Sequence, residues 1–338
     1  SDPWNEFGPA KFWLPRCEYD GRTLTVNVVD AHDLSPAIAA LGDLEWQATA
    51  NRVSLPDTIG RSEVPTLNRW RELVQEALAL FEREILEKIV LVRRCRLSMS
   101  EAVDPLRIVQ YLRSIPQAAY HFCFELGTGV AFLGASPECL FRRVGQQLDT
   151  EVIAGTRGRG GDRVEDAALS AELLASTKDQ LEHDIVRKSI CQRLHRCVDD
   201  LKVAAKAEVL RLSSTQHLIS RIEARLKAGV GDADLIDRLH PTPALGGYPT
   251  ENALEEIARL EHFNRGWYGA PVGWVGADGA EFAVGIRSAL VHGSLVDLYS
   301  GAGIVPGSRP DWEWNELEQK ILDLARFLAA PHEMYELR

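Results

Sequence analysis

The stretch EFAVGIRSALVHGSLVDLYSGAGIVPGSRPDWEWNELEQK, residues 281–320, decides how the chain reads. Apolar and small residues alternate through 281–291, the pattern of a half-buried strand, and 270–276 before it reads the same way. His292-Gly293-Ser294 is a hairpin-turn signal, after which 295–300 pairs back. Ser308 and Asp311 flank Pro310 as the start signals of a last helix that runs to about Ala329. Long hairpins delivered into long helices point to an α+β fold. The expected form is a layered α/β sandwich of largely antiparallel sheets with helices packed outside.

Working outward, Leu67, Trp70, Leu73, Val74, Ala77, Leu78, Phe81 and Ile85 recur at helical spacing and predict a helix over Thr66–Leu86. Lys88–Leu97 then turns β-branched and strand-like, and 119–126 and 130–143 read as further strands. GTRGRGG at 155–161 reads as a loop, 165–205 as helical territory, and HPTPALGGYPT at 240–250 as a loop before a helix over Glu251–Leu260. Residues 20–60 give only short strands and turns. No G-x-G-x-x-G opens a βαβ unit, which argues against a dinucleotide fold.

Composition narrows the function. With 45% apolar and 26% charged residues among 338, the chain has ample material for a core. A net charge of −11 argues against a nucleic-acid partner. An acidic protein that binds an anion must gather a few Arg or Lys locally, use backbone N–H groups, or hold a divalent cation. No apolar run reaches the roughly 18 residues that span a bilayer. The opening SDPWNEFGPAKF lacks the features of a secretory leader, and without an initiator Met the chain reads as trimmed. Cys17, Cys95, Cys123, Cys139, Cys191 and Cys197 show no C-x-x-C spacing, so reduced, mostly buried thiols in a cytoplasmic protein are expected.

Several residues invite a chemical reading beside a plainer one. Alternation groups Arg287 with Ala283, Gly285 and Ala289, either an exposed face or a cavity floor offering a guanidinium to a carboxylate. SGAGIV at 300–305 is either a plain bend or a place where an anion meets backbone N–H groups. Asp179, Glu182 and His183 share one helical face, as do Glu313, Glu316 and Lys320. Both faces are solvated charge, or else they converge on an oxygen-ligated cation such as Mg²⁺. Lys88 reads as a snorkelling surface lysine or an inward-pointing base, and His217 as a satisfied core histidine.

The strings EKIVLVR, FLGASPECLFRR, VIAGTRGRG, LLASTKDQLEHDIV, LHPTPALGG, RGWYGAPVGW, FAVGIRSALV, SGAGIVPGS and EWNELEQK stand in order between Lys88 and Lys320. Together they resemble the chorismate-utilising enzymes, which include anthranilate, aminodeoxychorismate, salicylate and isochorismate synthases. Lys88 stands where the aminating members carry Gln, and Ala154 where aminodeoxychorismate synthases carry a nucleophilic Lys. Pro249-Thr250 replaces the Pro-Lys of aminating members. Ala244-Leu245-Gly246-Gly247 differs from the more polar loop of salicylate synthases.

The resemblance therefore implies Mg²⁺-dependent conversion of chorismate to isochorismate, with salicylate synthesis, amine transfer or a non-catalytic homologue as rivals. It makes Lys88 the general base and Glu138 the general acid. Glu182, Glu313 and Glu316 become the metal ligands, with Asp179 just outside them. Arg287, Tyr268 and the Gly301-Ala302-Gly303 backbone would grip carboxylates, and Gly155, Thr156, His217, Ala244, Leu245 and Lys320 would line the pocket. It further implies a catalytic domain over 66–338 after a strand-rich, shortened part over 1–65, acting as a monomer without an amidotransferase partner.

Overall fold

The computed structural model describes residues 2–42, 55–115, 119–127 and 129–329. The chain divides into two compact units, the first within residues 1–52 and the second within 53–333. In the first unit, strands β1 (Cys17–Tyr19) and β2 (Leu24–Val26) form a two-stranded ladder, and helix α1 spans Leu34–Gly42.

The second unit begins with β3 (Thr58–Val64), α2 (Leu67–Glu82), β4 (Lys88–Met99) and α3 (Pro105–Ser114). Strands β5 (Tyr120–Gly127), β6 (Val130–Ser136), β7 (Cys139–Val144) and β8 (Gln147–Gly158) follow. Then come α4 (Arg163–Ala175), α5 (Thr177–Leu194), β9 (Val198–Val203), β10 (Glu208–Arg211), β11 (Thr215–Leu226) and α6 (Asp232–Leu239). The last part holds β12 (Gly247–Tyr248), α7 (Thr250–Leu260), β13 (Pro271–Val275), β14 (Gly279–Val284), β15 (Ser288–His292), β16 (Leu295–Ile304) and α8 (Pro310–Ala329).

Two seven-stranded sheets result, and every strand pairing among the described residues is antiparallel. The first runs β12-β4-β16-β15-β6-β5 with β3 on β4; the second runs β10-β11-β8-β7-β14-β13 with β9 on β11. Helices cover a face of each sheet by burying their apolar stripes. Leu133, Val291 and Leu298 of the first sheet pack with Ile108 and Leu112 of α3 and Ile321 and Leu324 of α8. Trp70, Leu73 and Val74 of α2 join Ile257 of α7, Leu317 of α8, and Leu91 and Ala302 of the first sheet. On the second sheet, Val186, Ile190 and Leu194 of α5 and Leu235 and Leu239 of α6 pack on Leu140, Val152 and Ile222. This is the expected α+β sandwich with helices outside.

Four local readings need correction. The helix expected to reach Leu86 stops at Glu82, because the chain must turn into β4 and does so with Glu84 at φ 56°. The territory 165–205 holds two helices and β9, separated where the Ser176 side chain caps α5. GTRGRGG is largely strand: β8 continues to Gly158 because Thr156, Arg157 and Gly158 pair with His217, Gln216 and Thr215. The boundary expected at residue 65 falls earlier, since β3 pairs with β4 and so belongs to the second unit.

All six cysteines are free thiols, with Cys95, Cys139 and Cys197 buried. Among the described residues no helix is long and apolar enough to cross a membrane.

Candidate active site

Two segments that read as single strands are each broken, and the breaks build the site. The run 130–143 ends at Ser136 in the first sheet and resumes at Cys139 in the second. Pro137, which has no N–H for a ladder, stands in the gap beside Glu138. Likewise 281–291 leaves the second sheet at Val284 and enters the first at Ser288, with Arg287 at φ 49° in the crossover. Arg287 is therefore not on an alternating strand face, as 281–291 had suggested. The crossovers are tied together: the Val284 N–H donates to the Glu138 carbonyl at 3.1 Å, and the Ala135 N–H donates to the Arg287 carbonyl at 3.1 Å. A pocket opens at this seam, lined from the crossovers by Pro137, Glu138, Ile286 and Arg287.

Lys88 begins β4 and is fully buried, its Nζ donating to Glu182 Oε1 of α5 at 2.9 Å. The pair meets above Gly303. A Cβ there would stand 2.1 Å from Glu182 Oε1 and 3.0 Å from Lys88 Cε, so a side chain at 303 would push the pair aside. Glu138 is 6% exposed, and burial, reinforced by Glu151, pushes its carboxyl up to about 8 against the pull of Lys88 and Lys320. At neutral pH it holds its proton.

Arg287 is oriented by a short chain of hydrogen bonds. Its Nη2 donates to Thr215 Oγ1 at 3.3 Å and its Nη1 to the Lys320 carbonyl at 3.4 Å. Thr215 Oγ1 also lies 3.0 Å from His217 Nε2, and His217 Nδ1 lies 3.3 Å from the Gly155 carbonyl. The Thr156 hydroxyl lies 3.2 Å from the same Nδ1, so both ring nitrogens meet a hydroxyl that can give or accept, and a proton on Nδ1 can also be given to the Gly155 carbonyl. Burial, with Arg287 and Lys320 nearby, pushes His217 down to about 3 and keeps that ring neutral. Gly155 itself is the extra residue of a β-bulge opposite His217 and Leu218, at φ 76°. Lys320 reaches from α8 to the Gly301 carbonyl at 2.9 Å, and Tyr268 stacks on Tyr299 with ring centroids 5.7 Å apart.

Glu182 and Glu313 are buried and Glu316 half-buried, and each is paired with a lysine. Besides Lys88–Glu182, Lys178 Nζ stands 2.7 Å from Glu313 Oε1 and Lys320 Nζ 2.7 Å from Glu316 Oε1. Asp179 pairs with Arg157 at 2.8 Å, and His183 Nε2 lies 2.8 Å from Ser220 Oγ. Burial and the negative charge of Glu316 raise Glu313 above the usual carboxylate range. For Glu316, burial is outweighed by Lys320 and Lys178, which hold it below that range.

Among the described residues no three His, Cys, Asp or Glu side chains stand together as a ready metal-binding group. The donor chemistry still suits a hard divalent cation, because Glu182, Glu313 and Glu316 supply only carboxylate oxygens. Burial works against the charge of Lys178, yet Glu313, Glu182 and Glu316 together hold its ammonium above the ordinary lysine range. The three carboxylates thus already favour a cation.

Of the residues singled out from sequence, Glu138, Gly155, Thr156, Glu182, His217, Ala244 and Leu245 line the pocket. So do Tyr268, Arg287, Gly301, Gly303, Glu316 and Lys320. Ala302 does not, because alternation along β16 turns its methyl into the core with Leu91 and Leu317. The GAG segment is strand rather than bend, paired with Val92, Leu91 and Val90. Glu313 stands outside the lining with Lys178, and Lys88 reaches the site through Glu182. Sequence reasoning missed Val90, Ile153 and Tyr299 in the lining, and Lys178 beside the acids. Strand alternation with Gly301 and Gly303 would have found Tyr299.

The chain matches the family described as chorismate binding enzyme over residues 1–329. It belongs to the chorismate-binding enzymes. It is 35% identical to isochorismate synthase MenF of Pasteurella multocida, covering 95% of this chain and 77% of that protein. It is 36% identical to isochorismate synthase 2, chloroplastic, of Arabidopsis thaliana, covering 96% of this chain. The chain spans 61% of the length of that plant relative. The structure of MenF, the menaquinone-specific isochorismate synthase from Escherichia coli, superposes with a TM-score of 0.81 at 34% identity. That superposition covers 88% of this chain and 69% of the MenF chain. Anthranilate synthase component I from Streptococcus pneumoniae, 22% identical, shares the chorismate-binding fold with a TM-score of 0.74.

Proposed function

We propose that this chorismate-binding enzyme is an isochorismate synthase that depends on magnesium. One observation carries the reading: a fully buried lysine, Lys88, stands 2.9 Å behind Glu182 of the pocket wall, and the same wall holds a buried carboxyl, Glu138. A base and an acid with opposite tasks are what a hydroxyl transposition requires. Lys88, as the base, takes a proton from water as the water oxygen bonds to C2 of chorismate. The ring double bonds shift, the C4–O bond breaks, and the departing oxygen takes the Glu138 proton and leaves as water. Water enters and water leaves, so the net reaction is an isomerisation.

Arg287 and Lys320 supply the positive charge that a dicarboxylate needs inside a chain of net charge −11. A magnesium ion held by Glu182, Glu313 and Glu316 would add charge against a substrate carboxylate. Lys88, where the aminating members of the family carry Gln, and the small Ala154, where aminodeoxychorismate synthases carry a nucleophilic lysine, support water as the nucleophile. No ammonia-supplying partner is then needed. Likeness to the menaquinone-specific enzyme supports a place in quinone synthesis.

Incubation with chorismate and Mg²⁺, followed by chromatography, tests the reading, and isochorismate alone is expected. Salicylate with pyruvate would make the protein a salicylate synthase, an aminated product formed from ammonium would make it an amine-transferring one, and unconsumed chorismate would leave a binding protein. A second test addresses the base. Gly303→Ala drives a methyl into the Lys88–Glu182 pair, and displacement on that scale is expected to cost about a hundredfold in kcat. An Ala variant with parental kcat would mean that the pair does not position the base.

A further inference from the structure

Three lysine–carboxylate pairs stand in or beside the pocket wall, and they are not equivalent. Lys320 reaches a carbonyl in the pocket wall, and Lys88 meets a carboxylate that lines the pocket. Lys178 and Glu313 both stand outside the lining, 2.7 Å apart, and bridge α5 to α8. Lys178 lies one turn before Glu182 on α5, and Glu313 one turn before Glu316 on α8. The Lys178 ammonium is thus anchored between α5 and α8 within electrostatic reach of Glu313, Glu182 and Glu316, although it does not touch the cavity. A buried carboxylate without a partner is costly, and Glu313, 2% exposed, has Lys178 as its ion-pair partner.

We propose that Lys178 is the resident counter-cation of the acidic group, holding it assembled without metal and competing with the divalent cation for Glu313. This rests on the reading of Glu182, Glu313 and Glu316 as metal ligands. Cation uptake then draws Glu313 away from Lys178, and the lysine sets a ceiling on metal affinity.

Titration of magnesium alone into the protein by calorimetry, without chorismate, tests this. Lys178→Met is expected to bind Mg²⁺ about tenfold or more tightly than the parent, the scale of one like charge removed from a partly buried site. Its metal-free form is expected to melt lower and to recover more on adding Mg²⁺. Lys178→Arg keeps the charge and is expected to bind like the parent. Equal or weaker binding by Lys178→Met overturns the proposal and makes Lys178 a structural strut. Should Lys178→Met fail to fold, amine labelling of Lys178 in the parent protein decides. Labelling is expected to rise with Mg²⁺, and unchanged labelling while Mg²⁺ binds overturns the proposal. A parent that binds no Mg²⁺ overturns the metal reading itself.

Discussion

Lys88→Met is expected to lower kcat/KM by about a hundred- to ten-thousand-fold, the contribution of a positioned general base, while chorismate binding stays within a few-fold. The substitution keeps the length of the side chain and removes the atom that would take the proton from water. It also leaves Glu182 in place without the ammonium 2.9 Å away, and breaking a buried pair costs about 3–5 kcal/mol. A loss of activity could therefore report unfolding instead of lost chemistry. The melting temperature of the Lys88→Met protein and its chorismate affinity by calorimetry separate the two, because both report folding without chemistry. A folded variant that binds chorismate and lacks turnover is expected. Turnover near that of the parent would show that Lys88 acts only as a counter-ion.

Much of this site was legible in the sequence because the informative residues lie within single elements. Helical spacing alone groups Asp179 with Glu182 and Glu313 with Glu316, and all four are buried or turned to the pocket. The switches between sheets were not legible. Periodicity records which way a side chain points along a continuous strand and nothing about which sheet the strand enters. Thus 281–291 alternates well enough to read as one strand, although Arg287 sits in a left-handed kink between two sheets. Gly285 was the available hint: a Cβ there would stand 2.9 Å from the Ala270 carbonyl, a close backbone approach inside an apparent strand. GTRGRGG misled in the opposite direction. Its glycines suggest a loop, but long-range pairing with Thr215, Gln216 and His217 holds most of it extended. Lys178 was passed over because a lysine within a charged helix normally faces water, and only the approach of α8 reveals its partner.

Glu138→Gln tests the other half of the proton transfer. Glutamine fills the same volume, remains neutral, and has no proton to give a leaving oxygen. A loss of about a hundred- to ten-thousand-fold in kcat is expected, with KM near that of the parent. The pH profile adds a second readout. Glu138 is pushed up to about 8, so its acid form is present at neutral pH and is lost as pH rises through that value. The parent's kcat is therefore expected to fall about tenfold per unit at higher pH. Stability carries the same signature with a definite sign. Between the ordinary carboxylate range and about 8 the folded protein binds a proton that the unfolded chain has released. Raising the pH through that window must therefore cost the fold stability. Glu138→Gln removes this contribution, so melting temperatures measured at about pH 6 and about pH 9 should differ less in the variant than in the parent. Equal pH dependence in the two proteins, or turnover retained by the glutamine variant, would remove Glu138 as the acid.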